Sequence, residues 1–205
     1  MRIVYRMRGL LGDATEDMVN TLDSGKDDGQ NDEEVYRMAA VLSQCGGILL
    51  MLKRLAAVRD LVSGRNLMTV LLKLFSYCVK VKANRQQLIK PEINSISIML
   101  GALNMALLAE QESGSSSSAS SKGQTTLSEQ ILQIMETVLQ EASSQPPEMY
   151  KEFSKLCGDR DQLMMLLDRI NSTFVRSNQA VLQALMRLIP FLAFGDQEKM
   201  HALIN

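Results

Sequence analysis

The chain has 205 residues, 46% of them apolar but only 4% aromatic, with no Trp and 14 Met. That length allows one ample core or a short solenoid, and its richness in Leu, Met and Ala favours helices over strands. A net charge of −1 excludes a whole-chain field that would draw the protein onto nucleic acid or a membrane surface.

The charge is unevenly placed. Nine acids stand against one base, Lys26, between Asp13 and Glu34; nine bases stand against one acid, Asp60, between Lys53 and Lys90. Such asymmetry marks either an interaction surface or a solvated face beside a solvated loop. The three cysteines, Cys45, Cys78 and Cys157, are far apart and form no CxxC pair, which suits buried thiols in a reducing compartment. Asn171-Ser172-Thr173 matches a glycosylation sequon and reads as an unmodified loop or helix end. The start carries no signal peptide. The longest apolar stretch, Ile93–Leu108, is interrupted by Asn94, Ser95, Ser97, Gly101 and Asn104, so no membrane span is expected.

In chain order, residues 1–12 suit a short strand or a helical turn. The acidic segment at about 23–33 reads as a disordered loop. A helix is expected over 33–44, capped by Asp32, with Val35, Met38, Ala39 and Leu42 inward; Gly46-Gly47 ends it through a left-handed cap. A second helix runs from about 48 to 58 through Leu49, Leu52 and Leu55. Ser63-Gly64 reads as a break.

The helix near 66–80 carries the clearest stripe: Leu67, Val70, Leu71, Leu74, Phe75 and Cys78. A polar stretch at Lys82–Asn84 and a short apolar turn at Leu88-Ile89 follow. Pro91 suits the first turn of a helix whose face is Ile93, Ile96, Leu100, Leu103 and Leu107. A Ser-rich linker at about 112–124 offers no apolar anchor.

Thr126 and Glu129 fit a capping box. They open a helix with Ile131, Ile134, Met135 and Val138 inward. A short helix near 148–156 precedes one capped by Asp159 or Asp161, carrying Leu163, Leu166, Leu167 and Ile170. Asn178 opens the next, whose end Pro190 should kink. A last turn at 197–204 holds Met200, Leu203 and Ile204. The pattern is all-α: an armadillo-like helical repeat or irregular α-solenoid. Its segments are 1–110, a linker at 111–125, and 126–205 packing on the first.

Residues 49–89 echo 164–204 at an offset of 114–115. Leu52 pairs with Leu167, Leu71 with Leu185, and Leu88-Ile89 with Leu203-Ile204. The layout resembles armadillo repeats, whose Gly-Gly-Ile and Asn-Arg-x-x-Ile phrases have counterparts in Gly46-Gly47-Ile48 and Asn84–Ile89. Such units bury their apolar faces only against neighbours.

Catalytic chemistry is not indicated. The single histidine, His201, has no Cys or acidic cluster beside it, and scattered cysteines do not supply the close ligands that zinc needs. No Gly-rich phosphate loop, GxSxG or HExxH occurs. Lys73, Lys80, Lys82 and Arg85 form the candidate partner-binding basic surface. The helices around Leu49–Arg59 and Leu67–Lys82 read either as calmodulin-type docking helices or as core, and the core has first claim on their apolar stripes.

Three stretches carry a more specific resemblance: Arg2–Glu16, Leu71–Lys90 and Asp161–Asn178. They are similar to the giant UBR-box ubiquitin ligases of the calossin/Pushover/BIG type, over 1–110 and 159–200, with the acidic loop and 111–158 departing. That resemblance implies an armadillo-like scaffold within a very long chain, a zinc-binding UBR box that reads N-terminal degradation signals, a zinc-stabilised ligase module, and calmodulin binding. None of those zinc ligands has a counterpart here, so no catalytic, metal or cofactor residue is expected in this segment. Met1 reads as an internal methionine of a larger ligase. The expected role is a non-catalytic scaffold segment in N-degron-type protein degradation. It would act in the cytoplasm, with the nucleus as a second location, and bind the rest of the ligase, substrates and calmodulin. The alternative is a free-standing armadillo-like adaptor for peptide or calmodulin-type partners.

Overall fold

The computed structural model describes residues 29–114, 125–157, 160–193 and 196–204. Among them are eleven α-helices, one 3-10 turn and no strand. The helices are α1 (Gly29–Gln44), α2 (Gly47–Ala56), α3 (Leu61–Cys78), α4 (Lys82–Leu88), α5 (Ser95–Gly114) and α6 (Leu127–Ser143). They continue as α7 (Pro147–Leu156), α8 (Arg160–Ile170), α9 (Thr173–Ser177), α10 (Gln179–Ala193) and α11 (Gln197–Ile204). The all-α helical-repeat expectation is borne out. The readings made for residues 1–28 and 115–124 lie outside the described residues.

Several boundaries differ from the sequence reading. α1 begins at Gly29, so the end of the expected acidic loop is helical and Asp32 lies inside the helix, not at its cap. Acidic residues are favoured in a helix's first turns, so their density here did not argue against one. The Gly46-Gly47 corner stands as expected. Gly46 takes φ 72°, and a Cβ on Gly47 would lie 2.8 Å from the Leu42 carbonyl oxygen. The helices on either side meet at 83°.

Ser63-Gly64 is not a break. Asp60 caps α3, accepting from the Ser63 backbone N–H at 2.9 Å and the Ser63 hydroxyl at 2.8 Å. Gly64 lies in the first turns because a Cβ there would meet Val58 Cγ1 at 2.7 Å. The expected stripe holds at Leu71, Leu74, Phe75 and Cys78, all buried; at its start Leu67 is 46% exposed and Met68 is buried instead. The polar stretch at Lys82–Asn84 is the start of α4, and Leu88 its end.

Pro91 opens a separate 3-10 turn, Pro91–Ile93, before Asn94 reverses the chain at φ 52°. Asn tolerates this left-handed conformation better than most residues. α5 then runs to Gly114, past the expected start of the linker. The Thr126–Glu129 capping box is present in full. Ser172 caps α9, a five-residue helix absent from the sequence reading, and so places the sequon at the α8–α9 junction. Asn178 Oδ1 accepts from the Val181 N–H at 3.2 Å and opens α10, which continues through Pro190 to Ala193.

One buried cluster runs from Ala39 to Ala193. α6 sits at its centre and packs against α3, α4, α5, α7 and α10, so the segments before and after the Ser-rich stretch share a core. At the offset of 114–115 the helix order also repeats. α2, α3 and α4 correspond in order to α8, α10 and α11, and α9 falls at the positions of 58–62, the corner that leads into α3. At matching positions Ile48 and Leu163, Met51 and Leu166, Leu71 and Leu185, Leu74 and Leu188, and Cys78 and Leu192 are all buried. Leu49 and Met164 both face outward.

The stretch Pro91–Glu112 is long and apolar enough to cross a bilayer by length and composition alone. In this fold it is the core helix. Ile96, Met99, Leu100, Leu103, Ala106 and Leu107 are buried, and it packs against α2, α6, α8 and α9. Its polar residues bond to neighbours: Ser95 donates to the Leu88 carbonyl, Ser97 pairs with Gln162, and Asn104 accepts from Arg169.

Candidate functional site, the polar seam around α4

A seven-residue helix is too short to be stable alone. α4 is instead held by side chains that reach three other helices. Asn84, 0% exposed, donates through Nδ2 to the Ala39 carbonyl of α1 (3.1 Å) and the Cys78 carbonyl of α3 (3.0 Å). Arg85 donates through Nη1 to the Val79 and Lys80 carbonyls at 2.9 and 3.0 Å, closing the C-terminal end of α3. Its Nε lies 2.9 Å from Glu141 Oε2 on α6. Gln87 accepts from the Ser43 hydroxyl of α1 at 3.0 Å. The Asn84-Arg85 pair is thus a structural junction.

The four candidate basic residues are placed differently from one another. Lys73, Tyr77 and Lys80 follow at four- and three-residue intervals along one face of α3 and its C-terminal turn, and Lys80 Nζ sits 4.7 Å from the Tyr77 ring centroid. Lys73 is half-buried; Lys80 and Lys82 are exposed at the α3–α4 turn. Arg85 stands beside that turn, but its Nε and Nη1 are committed to Glu141 and the α3 carbonyls.

A second polar seam holds the start of α6. Glu110 of α5 accepts from the Ser128 N–H and hydroxyl. Burial pushes the Glu110 carboxyl above the usual carboxylate range, against the pull of those bonds. Glu129 closes the capping box and accepts from Asn178 Nδ2 at 3.1 Å, joining the starts of α6 and α10. Exposed Arg187 pairs with half-buried Glu136 at 3.2 Å, near the surface, and adds little energy.

The buried reactive groups are poorly suited to chemistry. Burial pushes the Cys78 thiol up to about 12, and the Cys157 thiol also up to about 12 despite the nearby Lys199 charge. The Tyr150 hydroxyl is raised to about 12, by burial first and by Cys157 second. Lys199 is buried with Nζ 3.6 Å from Asp196 Oδ2. Cys45 and His201 are exposed. Among the described residues, no three His, Cys, Asp or Glu side chains are placed to hold a metal ion.

The described residues also line surface depressions. A groove of about 540 Å³ lies between the end of α5 and α9, lined by Leu108, Glu112, Arg169 and Phe174 among others. A smaller one, about 260 Å³, lies between α4 with its 3-10 turn and α6–α7. The sequence reading missed Asn84, Glu110 and Glu141 as anchors. The Asn-Arg phrase signalled the first; the others pair with residues too distant in the chain to be read locally.

Comparison with known proteins agrees with this architecture. The family described as the E3 ubiquitin-protein ligase UBR4 TPR-like domain matches residues 37–205. "Protein purity of essence" of Drosophila pseudoobscura pseudoobscura is 40% identical over 203 residues, covering 99% of this chain and 4% of that protein. A probable E3 ubiquitin-protein ligase of Dictyostelium discoideum is 31% identical over 211 residues, covering 100% of this chain and 3% of its own length. "Auxin transport protein BIG" of Oryza sativa subsp. japonica is 26% identical over 218 residues, covering 100% and 4%. The chain therefore spans 3–4% of the length of these curated relatives. The matches run through 111–158, where the sequence reading had placed a departure. No solved structure matches. With a family match over most of its length and relatives of the expected giant type, this chain belongs to the UBR4 TPR-like domain family.

Proposed function

We propose that this chain is a non-catalytic helical scaffold segment of a giant E3 ubiquitin-protein ligase acting in N-degron-type protein degradation. The observation that carries this reading is the use of its polar side chains. Asn84, Arg85, Glu110, Glu129 and Glu141 bond helix to helix, and the buried thiols are held protonated. A scaffold needs such rigidity to hold substrate or partner surfaces at fixed separation from distant modules. In this reading zinc and the catalytic steps belong to other parts of the parent protein, and the setting is the cytoplasm or nucleus. Lys80 and Lys82, with the half-buried Lys73 beside them, form the basic surface for protein partners, with calmodulin a candidate.

Two arms test the proposal. The isolated chain, incubated with activating enzyme, charged carrier enzyme and ubiquitin, is expected to leave the rate of ubiquitin discharge unchanged. Deleting the segment from a full-length parent is expected to reduce substrate ubiquitination while carrier discharge by the ligase module persists. Discharge accelerated by the isolated chain would overturn the reading.

A further inference from the structure

The 260 Å³ groove beside α4 has a construction that the scaffold role does not itself require. Its floor is apolar: Ala142, Tyr150 and Phe153 are buried, and Ile89 is half-buried. Met149 stands on the rim, 56% exposed. The volume is below that of a typical cofactor pocket and suits one or two large apolar side chains. Methionine at such a rim adapts to varied partners.

The two walls differ in charge. On the α4 side Lys90 lines the groove, and Lys82 shares the helix face of the lining residue Gln86, four positions on. On the α7 side Glu152 lines the groove, with Glu148 one turn before it. All four charged side chains are exposed. The cationic wall is fixed to the floor by Arg85 and Glu141, which immediately precede the lining residues Gln86 and Ala142, and α7 packs in turn on α6 and on the 3-10 turn. The groove is therefore preorganised, with a cationic wall, an anionic wall and an apolar floor. A partner with a single sign of charge would be attracted by one wall and repelled by the other.

We propose that this groove seats an amphipathic protein helix. Its apolar anchor enters over Ala142 and Phe153, its acidic flank lies along α4, and its basic flank lies along α7. α7 has ten residues, about 15 Å, so the contact spans about three turns of the bound helix. The proposal deepens the scaffold reading by naming the chemistry of a partner, and its test measures binding to the isolated chain, independently of any ligase activity.

The probe is a synthetic alanine-based helix of about 18 residues with two leucines four apart, Glu along one flank and Lys along the other. Methyl NMR of the full chain follows Met149, Ala142 and Ile89 during titration. The expected result is saturable shifts at these three methyls. Affinity should be at least about tenfold above that of the all-Glu and all-Lys versions, and binding should be lost when both leucines become serine. Lys90→Glu and Glu152→Lys are each expected to weaken binding about tenfold. The double reversal is expected to recover binding to a peptide with its flanks exchanged. These rim substitutions leave the core intact, and the fold is checked by circular dichroism.

Shifts that centre elsewhere, equal affinity for all three charge patterns, or no shift up to about 1 mM peptide would each overturn the proposal. So would a concentration-dependent dimer that protects the same three methyls, because the occupant would then be a second copy of this chain.

Discussion

Arg85 Nε lies 2.9 Å from Glu141 Oε2, joining α4 to α6 across 56 residues of chain, and the same guanidinium closes the end of α3. The carboxylate is 7% exposed and the guanidinium 21%. A charge pair this far from water is costly to break on one side only, because the survivor stays desolvated. Arg85→Ala is expected to destabilise the chain by about 3 kcal/mol, and Glu141→Gln by a smaller amount. A double-mutant cycle by urea denaturation should show a coupling of about 1 kcal/mol or more. Additive losses would mean that the pair does not hold the two helices together.

Asn84 should discriminate between substitutions by hydrogen-bond polarity. Asn84 donates from Nδ2 to two carbonyls, and its Oδ1 is buried without a partner among the described residues. Asn84→Ala loses two bonds but also removes that orphan oxygen, giving an expected loss of about 1–3 kcal/mol. Asn84→Asp places a carboxylate against two carbonyl oxygens. It should be the more damaging change at neutral pH and recover partly in acid, as the carboxyl regains a donor. Thermal melts at two pH values read this directly.

Glu110 gives the chain a pH dependence of definite sign. Its folded pKa is raised above the ordinary value of 4.5, chiefly by burial, with Glu129 adding to the rise. The stabilising contribution of the protonated form is fully present below 4.5 and is lost as pH rises through the folded value. Glu110→Gln keeps an acceptor for Ser128 and removes the ionisation. The variant should match or exceed the parent in stability at neutral pH, and the fall in stability above pH 4.5 should become shallower. An unchanged slope would assign that pH dependence to other groups.

The thiols should separate by access. Cys45 is exposed, whereas Cys78 and Cys157 are buried and raised to about 12. A thiol reagent at pH 8 should modify one cysteine in the native chain and three after denaturation. Rapid native modification of either buried thiol would show that α3 or the end of α7 opens readily.

Sequence patterns revealed what is local. The Thr126–Glu129 capping box, the left-handed Gly46 and the Asn178 cap all follow from short-range spacing. Gly64 misled because glycine weakens a helix on average, while here it admits Val58 and Asp60 supplies the start. Leu71, Leu74, Phe75 and Cys78 of the expected stripe are buried, and only its first position differs, with Met68 inward in place of Leu67. Lys82–Asn84 reads only as a polar stretch because polarity suggests exposure, yet Asn84 is buried by partners 45 and 6 residues away. Of the candidate surface, Lys80 and Lys82 are exposed as charge patterning suggested. The commitment of Arg85 depends on Glu141, which no local window contains.

The helices before and after the Ser-rich stretch form one folded body, centred on α6 and pinned at α4. Native-state hydrogen exchange of the full chain, followed across a denaturant series, tests it most directly. The slowest amides of α3 and of α10 are expected to converge on one opening free energy, and Arg85→Ala should lower both together. If α8–α11 open at low denaturant while α2–α5 stay protected, the two halves are separate folding units and the account is contradicted.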